Sequence, residues 1–502
     1  MDKIEVEKID EVYMKVIADP GTLQEVSEFF SFKPPNYQFN PRYKARVWDG
    51  YIRLISPFKP FLYIGLLDLL KQFCEIREYE LELDEDLGPE DNVPDDIGYQ
   101  IAKEVNCAYK PRDYQNEYIV NAIRNKRSLS LSPTSSGKSL MIYLIMQNYY
   151  QAFQYRTLII VPTISLVHQM AGDFEEYGCD PEMIYKIQGG VEKNTDKPVV
   201  ISTWQSLQNL PQEWFDQFRV VVGDEAHLFT GKSLSGIMEK CIYAPYRFGF
   251  TGTISSESKT HQLVLQGLFG SIKKIVSTKD LIDDGTVANF KIKCIVLNYP
   301  TEIKKAFRKE IRTFNKESGP KSKLKKFPAE REFIVNNHKR NLFIRNLVWS
   351  LEGQNNLILF ELVDKHGKIL EPMLRKEGRE LHFIHGSTSG EERERIRHLI
   401  ENDKEKKHDI LASSGVFSTG VSLKRLDNLI LANAGKSEIR SLQSIGRTLR
   451  KGNGADEATL YDIADDLSEG TYRNYTLDHF RKRIEVYSTE QFPFKIFNVD
   501  LK

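Results

Sequence analysis

LSLSPTSSGKSL, residues 129–140, is the stretch on which the reading of this chain turns. An apolar run enters it and a loop of small residues, Thr134-Ser135-Ser136, follows. Gly137-Lys138-Ser139 then opens onto MIYLIM, a strong helix start. Strand, loop and helix in that order make a phosphate-binding loop, because the free N–H groups of a helix start attract anions. In such a loop the Lys138 ammonium lies against the outer phosphates and the Ser139 hydroxyl serves Mg²⁺. The usual spacing puts a glycine five residues before Gly137, and Ser132 stands there instead.

Outward from this loop, both flanks alternate apolar strands with amphipathic helices, the signature of a parallel α/β sheet. On the near side the candidate strands are 128–132, 157–162, 198–203, 220–225 and 248–253. Each ends in small or polar residues, where an open α/β sheet gathers its ligands. The strand VVVGDE ends in Asp224-Glu225-Ala226-His227. A carboxylate there can hold Mg²⁺, and the next can polarise an attacking water. Upstream, Arg112-Asp113-Tyr114-Gln115 precedes the loop by about one helix. Two readings fit Gln115: an amide that reads an adenine edge, or part of a helix start after Pro111.

From about residue 286 a second α/β region begins, with strands at 356–362, 381–386, 409–415 and 428–434. A run rich in lysine, Lys304–Lys326, interrupts its start. It reads as solvated helices, as a flexible loop, or as a track for a nucleic-acid backbone. Later, Gln443-Ser-Ile-Gly-Arg447-Thr-Leu-Arg450 places two guanidiniums three residues apart, on one helix face. Paired planar forks suit the oxygens of a phosphoryl group.

The first 96 residues precede all of this. PPNYQFNPRYKARVWDGYIRLI, 34–55, interleaves aromatics with cations, among them Arg42, Lys44, Arg46 and Trp48. Stacking platforms beside phosphate neutralisers suit nucleic acid. A small hairpin turning at Asp49-Gly50, with Val47, Ile52 and Leu54 in a core, fits equally. The acidic LDEDLGPEDNVPDD, 83–96, reads as a linker. The tail from 466 onward reads as a helix packed on the second region.

Composition sets outer bounds. A chain of 502 residues makes two to four domains, and a net charge of zero confines any nucleic-acid site to a local patch. The five cysteines have no metal spacing and suit reduced thiols. The charged start MDKIEVEKID is no signal peptide, and FLYIGLLDLL is too short to span a bilayer. A cytoplasmic chain that contacts no membrane is expected.

Taken together and in order, these segments resemble the superfamily 2 helicases over about residues 100–465. RDYQ (112–115) looks like the family's Q-type motif, SPTSSGKS (132–139) like motif I, and VPTISLVHQ (161–169) like motif Ia. ISTWQSL (201–207), DEAH (224–227) and TGT (251–253) are similar to motifs Ib, II and III. In the second region ILFE (358–361), SSGVFSTGVSL (413–423) and QSIGRTLR (443–450) fit motifs IV, V and VI. RVWDGYIRL and the overall length bring the chain near the phage recombination and branch-migration helicases, and more loosely near the XPB-like branch.

The resemblance implies an α/β fold of two tandem RecA-like parallel-sheet domains, 97–285 and 286–465, with a basic insertion at 301–335. A small N-terminal α+β accessory domain and its linker fill 1–96, and a tail fills 466–502. It implies ATP and Mg²⁺ as cofactors. Its partners are branched, single- and double-stranded DNA, with RNA–DNA hybrids a further class, and the chain would be a monomer when isolated. Lys138, Asp224, Glu225, Gln443, Arg447 and Arg450 would be catalytic. Arg112, Gln115 and the loop Thr134–Ser139 would bind nucleotide, with Ser139 and Asp224 on the metal. Thr163, Thr203, Thr419 and Gly420 would touch DNA, and Thr251 and Thr253 would couple the two sites.

Overall fold

The computed structural model describes the chain except residues 1–2, 35–36, 91, 134–135, 253, 255–258, 285–288, 319–322, 404–405, 418–425, 433–456, 471, 490–491 and 502. Two compact units divide it, Met1–Val276 and Ser277–Lys502.

The first unit opens with a small α+β layer. Strands β1 (Lys3–Lys8), β2 (Tyr13–Ile17), β5 (Phe61–Tyr63) and β6 (Glu80–Leu83) make a mixed sheet in the order β5-β2-β1-β6, while the short β3 (Ser31–Phe32) and β4 (Ile52–Arg53) pair separately. KIEVEK alternates strictly, so Ile4 and Val6 point inward while the charges face water. Asp19 starts the helix Pro20–Phe29 by accepting from the N–H groups of Gly21 and Thr22. Helix Leu67–Arg77 covers the sheet through Leu70, Phe73 and Cys74.

Seven described strands then form a wholly parallel sheet: β7 (Arg127–Leu131), β8 (Thr157–Val161), β9 (Ile184–Ile187), β10 (Val199–Thr203), β11 (Val220–Asp224), β12 (Tyr246–Thr251) and β13 (Ile272–Lys274). Their order is β13-β7-β12-β11-β8-β10-β9. β8, β10 and β11 are buried at every position, as strands covered on both faces must be. Helix Lys138–Phe153 is buried from Leu140 through Gln147, so it carries no polar stripe and forms the middle of one core layer.

The acidic stretch 83–96 is held at several points. Glu80–Leu83 pairs with β1, the Glu90 N–H donates to the Arg124 carbonyl, and Val93 packs on the core of the parallel sheet. Close approach also joins the accessory layer to that sheet. A Cβ on Gly65 would fall 2.1 Å from the Gln266 carbonyl oxygen, a contact only glycine permits. Around it, the Tyr63 hydroxyl donates to Glu239 at 2.6 Å, and Arg127 Nη2 donates to Glu11 Oε2 at 2.9 Å.

The second unit holds another seven described strands, all parallel: β14 (Asn289–Asn298), β15 (Asn356–Phe360), β16 (Glu380–Ile384), β17 (His408–Ser413), β18 (Asn428–Leu431), β19 (Glu457–Asp466) and β20 (Phe494–Asp500). Their order is β16-β17-β15-β18-β19-β14-β20. The lysine-rich run falls on helices Thr301–Ser318 and Lys323–Val335. Within the unit Arg308 pairs with Glu469 at 3.3 Å and Lys304 with Asp466 at 3.9 Å. Helix Tyr475–Thr489 is pinned by the buried Arg483, which grips Asp462 with two bonds of 2.9 and 2.7 Å. The tail then adds β20 at the sheet edge, a strand that the sequence reading did not contain.

The five cysteines are free thiols, four of them buried, and burial pushes the Cys241 thiol up to about 12. Among the described residues no helix is long and apolar enough to cross a membrane.

Candidate nucleotide and nucleic-acid site

Parallel strands put all their carboxyl ends on one edge, and the strand order of the first unit sorts what arrives there. From β7 outward the edge presents the phosphate loop, then Thr251 on β12, Asp224-Glu225 on β11, Thr163 after β8 and Thr203 on β10.

The loop itself is tied from several sides. Ser132 is fully buried; its N–H donates to the Thr251 carbonyl at 2.9 Å, and its hydroxyl lies 3.0 Å from that of Ser130. It is not among the residues with positive φ, so this position needs no glycine. Gly137 is different: φ is +77°, and a Cβ there would fall 2.2 Å from Gln115 Nε2. Gln115 is 3% exposed. Its Oε1 accepts from the Arg112 N–H at 2.8 Å, and its Nε2 donates to the Ser136 carbonyl at 2.8 Å. The Tyr114 hydroxyl reaches the same carbonyl at 3.1 Å. The side chain therefore both starts its own helix and braces the loop, with one N–H and one lone pair of the amide left over.

The charges around the loop fit a phosphate. Lys138 Nζ is buried and, among the described residues, has no hydrogen-bond acceptor; Glu225 Oε1 lies 4.0 Å away. The Ser136 hydroxyl is likewise buried without a partner among them. An ammonium held dry costs several kcal/mol unless an anion reaches it. Ser139 Oγ shares a hydrogen bond of 3.0 Å with the Tyr177 hydroxyl; with Ser139 donating, its lone pairs stay available to a cation.

Asp224, the last residue of β11, is 5% exposed at the strand end. Glu225 follows in the left-handed region, φ +50°. For a residue with a Cβ that costs about 1–2 kcal/mol, and it swings the chain sharply after Asp224. The turn brings His227 Nδ1 within 3.0 Å of Thr251 Oγ1 and 3.4 Å of Glu225 Oε2. The imidazole thus lies between Glu225 and the strand next to the loop.

Further along the edge, Thr163 caps helix Ile164–Glu176, its hydroxyl accepting from the Leu166 N–H at 3.4 Å. Thr203 is 4% exposed and shares a 3.1 Å bond with Ser206. Its hydroxyl is turned inward, so the surface there is presented by its neighbours.

The aromatic-basic segment does not make the hairpin that one reading placed at Asp49-Gly50. Val47 is 69% exposed, and Ile52 pairs with Phe32 through β3 and β4. Local polar bonds fold the segment instead. Asn40 caps the turn Pro41–Lys44, and Asp49 accepts from the Tyr51 N–H at 3.0 Å and from Arg53 at 2.5 Å. Arg42, Lys44 and Arg46 lie exposed, and Lys33 sits 4.9 and 4.7 Å from the ring centres of Tyr37 and Tyr51. Trp48 is half-buried, donating to the Tyr51 carbonyl at 2.7 Å.

Thr134, Ser135, Thr253, Thr419, Gly420, Gln443, Arg447 and Arg450 lie outside the described residues. Sequence reasoning missed Tyr177, which meets Ser139 from 38 residues away with no motif around it. It also gave no role to His227, although DEAH contains it.

Three family profiles match in order along the chain. They are described as DNA helicase UvsW, N-terminal (residues 3–84), type III restriction enzyme, res subunit (108–256) and helicase conserved C-terminal domain (338–452). The ATP-dependent DNA helicase uvsW of Enterobacteria phage T4 is 34% identical over 520 aligned positions, covering 99% of this chain and all of that protein. The crystal structure of T4 UvsW superposes with a TM-score of 0.51 at 31% identity, covering both chains fully. The DNA 3'-5' translocase XPB2 of Sulfurisphaera tokodaii is 25% identical, covering 82% of this chain and 92% of that one. With the accessory layer, the phosphate loop and the strand-end carboxylates in one continuous alignment, the chain belongs to the UvsW family of superfamily 2 DNA helicases.

Proposed function

We propose that this helicase couples ATP hydrolysis to remodelling of branched DNA: junction branch migration, fork regression, and unwinding of R-loops and D-loops. The observation that carries the ATPase half is Lys138 Nζ, buried and 4.0 Å from Glu225 at the mouth of the phosphate loop. Lys138 and the helix N–H groups bind the outer phosphates, and Ser136 Oγ adds a donor. Ser139 and Asp224 would hold Mg²⁺, which when bound neutralises phosphate charge. Glu225 orients the attacking water and takes its proton, while Arg447, Arg450 and Gln443 meet the charge on the transferring phosphoryl. His227 and Thr251, with Thr253, report on that event to the outer strand ends. Thr163 and Thr203 at those ends, and separately Thr419 and Gly420, would contact the DNA backbone. The exposed cations and aromatics of 37–53 grip DNA from the accessory layer.

The test is the steady-state ATPase rate without nucleic acid and with single strand, duplex and a four-way junction, using Lys138→Ala as the blank. The strongest stimulation by the junction, with ATP-dependent strand exchange, supports the reading. XPB2 is named a translocase. Duplex stimulation without strand separation would therefore assign this chain to translocation alone. Rates equal on all substrates would overturn the motor reading.

A further inference from the structure

We infer that the second unit carries a transition-metal site of the zinc class, formed by Glu380, His382 and His408 across the two outermost strands of its sheet. The register creates it. Glu380 pairs directly with His408 between β16 and β17, and His382 lies two residues on from Glu380. Paired residues and their i+2 neighbours share a sheet face, so all three side chains project together.

The donor atoms converge. His382 Nε2 lies 3.2 Å from His408 Nδ1, and Glu380 Oε2 lies 3.9 Å from the first and 3.7 Å from the second. Two imidazole nitrogens on one tetrahedral zinc sit about 3.3 Å apart, given Zn–N bonds near 2.0–2.1 Å. The carboxylate is half-exposed, and a small rotation closes its gap. Behind the ligands, Asp403 Oδ2 lies 3.5 Å from His408 Nε2. The two make no hydrogen bond as they stand, but the carboxylate's nearness suits a proton on Nε2, with Nδ1 turned to the other two ligands. Lys406 reaches the other Glu380 oxygen at 3.4 Å, so the carboxylate is held without losing Oε2.

Two nitrogens and one oxygen select zinc-like ions over Mg²⁺, which prefers oxygen alone. Three protein ligands leave a fourth position for water. The location argues for a staple. β16 is an edge strand, and Glu380 and His408 begin their strands, at the end opposite the carboxyl edge where ligands of such sheets gather. A metal here would fasten the edge strand without touching the nucleotide machinery.

The test uses the full-length chain, stripped of metal and free of nucleotide. Titration with Co²⁺ alone should give the intense visible bands of a tetrahedral ion, and Zn²⁺ should displace it while Mg²⁺ does not. Zn²⁺ should also raise the melting temperature. Glu380→Gln and His382→Asn, both at sites less buried than His408, should weaken Zn²⁺ binding at least tenfold and leave the ATPase rate measured with Mg²⁺ but without zinc unchanged. A weak octahedral cobalt spectrum from the unaltered chain, which needs no variant, would overturn the site. So would equal zinc affinity in chain and variants.

Discussion

Glu330 is fully buried, yet it collects five donors. Thr476 gives its N–H at 2.8 Å and its hydroxyl at 2.9 Å, and Asn474 its amide at 3.4 Å, all to Oε1; Tyr475 N–H at 3.0 Å and the Tyr472 hydroxyl at 3.3 Å reach Oε2. It caps helix Tyr475–Thr489 from a distant helix, satisfying N–H groups that the helix start leaves open. Burial raises its pKa against the pull of those donors. Glu330→Ala should cost about 3 kcal/mol, read as a lower denaturant midpoint, because the donors would be left dry. His366 is the opposite case: fully buried, with both ring nitrogens lacking a partner among the described residues. Burial, aided by Arg340, holds its pKa well below 6.5. The folded chain thus refuses a proton that the unfolded chain accepts. Its contribution is complete above about pH 6.5 and falls as the pH drops below that, by about 1.4 kcal/mol per pH unit, until the folded pKa is reached. Melting curves from pH 7.5 to 5 should therefore decline more steeply for the native chain than for His366→Leu; parallel declines would contradict this.

At the scale of elements, what could be read from sequence depended on burial. β8, β10, β11 and β15 are mostly apolar because both their faces are covered, and each was legible, as was the equally buried β17 with its apolar centre Ile410-Leu411-Ala412. β13 (IKK) is short and mostly exposed, and in the mostly exposed β20 (FKIFNVD) polar residues break up the apolar ones, so neither shows as a continuous run. The same logic governs the site. The loop and DEAH are local motifs, so the phosphate-facing half announced itself. Gln115 offered two local readings, and the structure shows it bracing the loop as well as opening its helix. The hairpin that one of two readings allowed at 47–54 does not form, because Asn40 and Asp49 bond their own backbone, a preference that apolar alternation does not reveal. Gln115→Ala should loosen the loop by removing the brace on the Ser136 carbonyl. We expect the apparent ATP affinity to fall roughly tenfold, worth about 1.4 kcal/mol, while melting temperature moves little; an unchanged affinity would deny the brace a role.

At the scale of the molecule, the accessory layer and the first parallel sheet belong to one unit. Removing residues 1–96 would uncover the helix Lys259–Phe269 where Gly65 and Tyr63 meet it. The truncated chain should lose soluble yield and melt lower, beyond any loss of DNA binding; a truncation that melts like the full chain would mean the docking adds no stability. One residue shows how deep the joint goes. Arg127 anchors Glu11 of the accessory layer and is also the first residue of the strand that delivers the phosphate loop. Such an appendage is not portable. A graft onto another motor would have to carry Arg127, Glu239 and the bare backbone at Gln266–Gly267 with it, and an exchange of modules between lineages would have to cut through the catalytic strand.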